Sequence, residues 1–230
     1  MALFPRYEES DVSGSDAASR ALSVTAVETD FVESVYQKLS SVYDYTFGPT
    51  LHPGRLTAIQ RMGIKPGDQV LEVGVGTGIN VALYPTTCHV TGVDLSDKML
   101  EKARARVRRF GSRNVRLQQM DAAALTFPDE SFDIVYAPYL ISVVPDPVQV
   151  AAEMRRVCRR GGRVIVLNHF RSENPVMSVV ERIISPMTVH IGFKSDLDLP
   201  GFLIQAGLDP TSIERVNIPK IWSLVTCVKE

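Results

Sequence analysis

The chain has 230 residues, 45% of them apolar and 22% charged, with 15 glycines and 14 prolines. At roughly 150 residues per domain this is one elaborated domain, long enough to bury about 70% of the surface its unfolded chain exposes. That balance excludes a collagen, a coiled coil and a wholly disordered chain. No run reaches the roughly 18 apolar residues of a membrane-spanning helix. The opening MALFPRYEES turns acidic at Glu8 and has no apolar core, so no signal peptide is expected. Cys88, Cys158 and Cys227 are odd in number and far apart, with no CxxC. This argues against a disulfide scaffold or a zinc site and fits a reducing, cytoplasmic compartment.

The formal net charge of -1 hides an asymmetry. Residues 1–30 carry six acids against Arg6 and Arg20, a net of -4. Lys98, Lys102, Arg104, Arg106, Arg108, Arg109, Arg113 and Arg116 face only Glu101 in the stretch 98–116, and Arg155, Arg156, Arg159, Arg160 and Arg163 make a second cluster. Two solvated helix faces explain these clusters, and so does contact with an anionic surface, lipid headgroups or nucleic acid.

In chain order, residues 1–28 lack an apolar period and read as a mobile acidic tail. Residues 29–50 hold an amphipathic helix. Asp30 caps it with Glu33 three residues on. Phe31, Val35, Tyr36, Leu39, Val42 and Tyr43 form its stripe, and Gly48-Pro49 stops it after Phe47. From residue 51 to 230 strands and helices alternate. The strands are QVLEVG, CHVTGVD, NVRLQQ, FDIVYA and RVIVLN. Asp97 to Phe110 is a one-sided helix. Asp146-Pro147 begins another, which Gly161-Gly162 ends. Two final segments, about 212–218 and WSLVTCVK, read as an antiparallel pair. Continuous apolar strands separated by helices predict an α/β fold, a mostly parallel seven-stranded sheet with helices on both faces.

The strongest chemical signal is VLEVGVGTG, residues 70–78, at a strand-to-helix turn where open α/β sheets bind ligands. Asp94 ends the next strand, 22 residues after Glu72, where a carboxylate meets a ribose. A dinucleotide fingerprint wants Gly or Ala at position 79, which is Ile79. An acid beside the turn suits a cationic ligand better than a pyrophosphate. S-adenosylmethionine carries an ammonium, a sulfonium and a ribose, and no phosphate.

With LEVGVGTG (71–78), VTGVDLSDKML (90–100), QMDAAALTFPDESFDIVYAPYLISVVPDP (119–147) and RRVCRRGGRVIVLNHF (155–170), the sequence resembles the class I S-adenosylmethionine-dependent methyltransferases, which have a Rossmann-like fold. The resemblance covers about residues 31–230. It implies that Glu72, Gly74, Gly76 and Gly78 hold the methionine part of the cofactor. Asp94 takes the ribose, Leu95 and Met99 flank the adenine, and Asp121 with Ala122 meets its edge. Tyr139 borders the transferred methyl, and the product is S-adenosylhomocysteine. Within the class, VYQKLSSVYDYTFG (35–48), YLISVVPDP (139–147), LNHF (167–170) and SVVERIISPM (178–187) resemble the bacterial phospholipid N-methyltransferases, which methylate phosphatidylethanolamine. The quinone C-methyltransferases share the Tyr-Asp pair near the N-terminus and the glycine loop, and are the alternative.

The lipid reading expects peripheral contact with the inner face of the cytoplasmic membrane. The helix 30–47 has the apolar stripe for this, or for a lid over the cofactor, but a net charge of -2. Attraction to anionic lipid then falls to the arginine clusters or to Arg55 and Arg171. Tyr36, Tyr43, Tyr139 and His169 are the candidates for orienting the amine. His52, His89 and His190 read as structural, and no metal constellation is evident. A nucleic-acid methyltransferase is disfavoured because Ala137-Pro138-Tyr139 lacks the polar residue that would hold a nucleobase amine. The sequence leaves the oligomeric state open.

Overall fold

A computed structural model describes residues 48–171, 197–217 and 220–230. The expected acidic tail, the helix 30–47 and the segment SVVERIISPM lie outside the described residues. Among the described residues seven strands form one sheet, in the order β3-β2-β1-β4-β5-β7-β6. The parallel strands are β1 (Gln69–Val73), β2 (His89–Asp94), β3 (Val115–Gln119), β4 (Phe132–Pro138) and β5 (Cys158–His169). Strand β7 (Trp222–Val228) lies antiparallel between β5 and β6 (Pro210–Val216), as the two final segments predict. The chain winds one way from β1 to β2 and β3 and the other way to β4 and β5. The switch point is therefore between β1 and β4, and a ligand crevice is expected at their carboxyl ends.

The twofold period of the strands divides the core into two layers. Leu71, Val73, Val135, Ala137, Val164 and Val166 face one side, with Met154 of helix α3 (Pro147–Val157) and Phe202 of helix α4 (Leu199–Ala206). Val70, Ile134, Tyr136, Ile165 and Leu167 face the other, with Ala58 and Met62 of helix α1 (Gly48–Arg61). Glu72 shares the parity of Val70 and points into this second layer. The three free cysteines are buried, Cys88 in the α1 layer and Cys158 and Cys227 in the α3/α4 layer.

Helix α2 (Asp97–Phe110) has the predicted bounds, capped by Ser96, whose Oγ accepts the Met99 N–H, and ended by Gly111 at φ 63°. Asp146 caps α3 by accepting the Gln149 N–H, with Pro147 in the first turn.

Gly48 and Pro49 lie in α1, and the helix expected to end before them at Phe47 is outside the described residues. One expectation is corrected. Helix α3 ends at Val157, not at Gly161-Gly162. Cys158 is already extended (φ -72°, ψ 134°) and pairs with Phe132 in the sheet. The glycines lie within β5, where Gly161 N–H donates to Lys229 O and Gly162 O accepts from Lys229 N–H. Helix α4 has no counterpart in the sequence reading, although Asp198 caps it and Pro200 stands in its first turn, as at α3.

The second arginine cluster is largely engaged in ion pairs. Arg156 bridges Glu153 and Asp129, Arg159 meets Asp133, Arg160 meets Glu130, and Arg163 meets Asp68. Arg171 pairs with Asp198.

Candidate active site

At the predicted switch point lies a cavity of about 330 Å³. It brings together Gly74, Gly76, Asp94, Leu95, Met99, Asp121, Ala122 and Tyr139 of the expected residues. Arg55, Thr77, Met120, Leu140 and Val143 complete much of the wall. Glu72, Gly78 and His169 are not on it. Tyr36 and Tyr43 lie outside the described residues.

The floor is set by the turn after β1. Gly74 and Val75 N–H both donate to Val93 O at 2.9 Å, which ties the turn to β2. Asp94 then accepts from Gly76 N–H at 2.8 Å with one carboxylate oxygen and from Ser96 N–H at 2.9 Å with the other. Burial raises the pKa of the Asp94 carboxyl, and these two backbone donors oppose that rise. Gly78 sits behind the wall at φ 77°, the cap of a 3₁₀ turn over Ile79–Ala82. A Cβ there would lie 3.0 Å from Ala103 of α2, so the glycine lets helix and turn pack. On the adenine side expected from the resemblance, Asp121 accepts the Ala123 N–H at 2.9 Å, and Leu95 is 38% exposed at the rim.

Glu72 is fully buried behind the turn. Its carboxylate accepts from Asn80 Nδ2 at 2.8 Å and from the Tyr84 hydroxyl at 2.6 Å. Burial pushes the carboxyl up to about 7, opposed by the Tyr84 hydroxyl, the Arg55 charge and the Asn80 amide. Because Asn80 spends an N–H on Glu72, its carbonyl is free to accept from Arg55 Nη1 at 3.3 Å. Glu72 thus reaches the cavity at second hand, through Asn80 and Arg55.

Arg55 is the one cation among the described residues that line the cavity. It is 8% exposed, which removes it as a surface contact for anionic lipid. Its Nε is buried without a hydrogen-bond partner among the described residues. Its Cζ lies 4.9 Å from the centroid of the Tyr139 ring. The sequence reading noted Arg55 only as a possible lipid contact and passed over Asn80 and Tyr84. Asn80, two residues past the last glycine of the turn, was the readable signal.

Tyr139 follows β4 in the left-handed region, at φ 58°. Its N–H donates to Leu167 O at 2.6 Å. Its hydroxyl donates to Leu51 O and accepts from Asn217 Nδ2, both at 2.9 Å. The cavity therefore meets the ring more than the hydroxyl proton. His169 ends β5 edge-on to Trp222, ring centroids 6.3 Å apart.

The cavity fits S-adenosylmethionine on these observations. It offers a carboxylate held by two backbone donors, a glycine turn whose backbone can approach a ligand, and a buried guanidinium with an unspent N–H. Residues 71–166 match the family model of the methyltransferase domain. The phosphatidylethanolamine N-methyltransferase of Cereibacter sphaeroides is 42% identical over 171 residues, 74% of this chain and 83% of that protein. A demethylmenaquinone methyltransferase of Alkalihalophilus pseudofirmus is 32% identical over 148 residues, 63% of each chain. Among solved structures, phosphoethanolamine N-methyltransferase 2 of Haemonchus contortus, in complex with phosphomonomethylethanolamine and S-adenosylhomocysteine, superposes with a TM-score of 0.70. It is 19% identical, over 87% of this chain and 59% of that one. At that identity it supports the fold, which with the glycine turn, the cavity and the sequence relatives leads to one assignment: the chain belongs to the class I S-adenosylmethionine-dependent methyltransferases, close to the bacterial phosphatidylethanolamine N-methyltransferases.

Proposed function

We propose that the protein methylates the amine of phosphatidylethanolamine, in successive transfers towards phosphatidylcholine, at the inner face of the cytoplasmic membrane. The observation that carries this reading is the 42% identity with a phosphatidylethanolamine N-methyltransferase across 83% of that relative. No helix among the described residues is long and apolar enough to cross a membrane. Contact with the bilayer is peripheral in this reading, and the basic stretch 98–116 is its electrostatic component.

The cofactor supplies a sulfonium methyl for in-line attack by a lone pair. Gly74 and Gly76 offer backbone to its methionine portion. Asp94, pre-oriented by the Gly76 and Ser96 N–H groups, accepts the ribose hydroxyls. Leu95 and Met99 flank the adenine, and Asp121 with Ala122 meets its edge. Arg55 meets the α-carboxylate, as the one cation among the described residues that line the cavity. A charge-assisted hydrogen bond of this kind contributes about 2 kcal/mol. Glu72 and Gly78 act from behind, by holding Asn80 and the turn.

The incoming amine must first lose a proton, since its nearest guide, lysine, has an unperturbed pKa of about 10.4. The Tyr139 hydroxyl donates its hydrogen bond to Leu51 O, so its contribution is the ring. An aromatic face favours the cationic mono- and dimethylated amines by about 0.5–2 kcal/mol. Water takes the proton, and alignment of the two reactants lowers the barrier by several kcal/mol. Tyr36 and Tyr43 complete the amine site from the N-terminal segment, and His169 supports the end of β5.

The test is transfer of radiolabelled methyl from S-adenosylmethionine to mixed vesicles of phosphatidylethanolamine and anionic lipid, resolved by chromatography. Label is expected in mono-, di- and trimethylated lipid. Absence of lipid label, with cofactor binding intact, would discard the lipid reading. It would favour a quinone precursor or other small molecule, which the 32% identity with a demethylmenaquinone methyltransferase supports.

A further inference from the structure

We propose that Asn217 is a positioning residue for the cofactor site, acting through Tyr139 on Arg55. The proposal rests on the reading above that Arg55 meets the cofactor's carboxylate.

Three segments distant in sequence meet beside the cavity. Asn217, just past β6, is 6% exposed, and its side chain spans two of them. Its Oδ1 accepts from Gly54 N–H of α1, and its Nδ2 donates to the Tyr139 hydroxyl. That hydroxyl donates in turn to Leu51 O of α1. The approach is so close that only glycine fits at position 54. A Cβ there would lie 2.6 Å from Asn217 Oδ1 and 2.8 Å from both Asn217 Nδ2 and the Tyr139 hydroxyl oxygen.

The backbone shows what this clasp holds. Tyr139 stands at φ 58° and Asn217 at φ 66°. Asparagine visits the left-handed region readily, and a bulky aromatic does not. Tyr139 therefore needs its surroundings to keep it there. The clasp fixes the hydroxyl end of the ring, and Arg55 lies over its face, Cζ 4.9 Å from the centroid. Arg55 is also on α1, one residue after Gly54. The same side chain of Asn217 thus anchors both the helix that carries the guanidinium and the ring on which it rests. Asn217 does not line the cavity, so its influence on a ligand there has to be transmitted.

The experiment is a double-mutant cycle on the affinity for S-adenosylhomocysteine, measured by calorimetry on the full chain. Asn217→Gly removes the side chain and suits the positive φ, and the thermal midpoint without ligand shows that the variant folds. Arg55→Ala is expected to weaken binding. Asn217→Gly is expected to weaken it about fivefold in the parent and by less than about twofold in the Arg55→Ala background, the non-additivity of residues that act as a unit. Tyr139→Phe, which keeps the ring and removes the hydroxyl, should reproduce the loss seen with Asn217→Gly. Unchanged affinity in Asn217→Gly, or equal losses in both backgrounds, overturns the proposal. If Arg55→Ala binds as tightly as the parent, the carboxylate reading of Arg55 fails first. Any effect of Asn217 then bypasses Arg55, and the proposal falls with it. The Arg55→Ala single variant tells the two failures apart.

Discussion

Glu72 is fully buried in the α1 layer of the sheet, and its protonation state follows from that. A carboxyl pushed up to about 7 in the folded chain, against 4.5 unfolded, binds its proton more tightly when folded. The stability it contributes is fully present below pH 4.5 and is lost as pH rises through about 7. The shift corresponds to about 3 kcal/mol. Glu72→Gln removes the titration while keeping an acceptor for Asn80 or Tyr84. Urea midpoints from pH 5 to 8 should therefore fall more steeply in the parent than in the variant. Parallel curves would mean that Glu72 does not titrate in this range. At this scale the sequence was half legible. The glycine turn and Asp94 are read from spacing, because a strand-to-helix turn has few ways to approach a ligand. Arg55, Asn80 and Asn217 are brought in by tertiary contacts up to 163 residues apart, and no local pattern carries those.

Elements were legible where local signals agree with one another. Helix α2 has a serine cap, a one-sided apolar period and a terminal glycine, and its bounds match. Helix α4 has an equivalent cap and proline but only eight residues, too few for a period to show. Strand β5 swallowed Gly161-Gly162 because pairing with β4 begins at Cys158, and pairing outweighs the local preference of glycine for a helix end. The cap of α3 offers a direct check. Asp146→Ala removes the acceptor of the Gln149 N–H at 2.9 Å and should destabilise the fold by about 1 kcal/mol in chemical denaturation. Asp146 also lines the cavity, so cofactor affinity measured alongside separates the cap from any contact with the ligand. A change below a few tenths of a kcal/mol would show that solvent caps the helix equally well.

At the scale of the whole molecule, charge is distributed unequally in function as well as in position. The cluster from Arg156 to Arg163 is largely tied up in ion pairs with Asp68, Asp129, Glu130, Asp133 and Glu153, so it has little attraction left for an external anion. The exposed residues Arg108, Arg109, Arg113 and Arg116, with Phe110 54% exposed among them, are the better candidates for an anionic bilayer. Each basic residue near such a surface is worth about 1 kcal/mol. Replacing the four arginines with glutamine should weaken binding to anionic vesicles in co-sedimentation and flatten its dependence on salt. Equal binding by parent and variant would remove these arginines as a contact for anionic lipid.

The placement of the three thiols has a practical consequence. All are buried, and burial raises their pKa values, to about 11 for Cys158 and about 12 for Cys227, so in the folded state they react slowly with alkylating agents. Cys88 reports on the layer beneath α1, and the other two report on the layer beneath α3 and α4. Timed alkylation followed by peptide mass analysis would read the two halves of the core separately, with no probe engineered into the chain. If the layers open as one unit, the three sites will label in step; if α1 peels away first, Cys88 will lead.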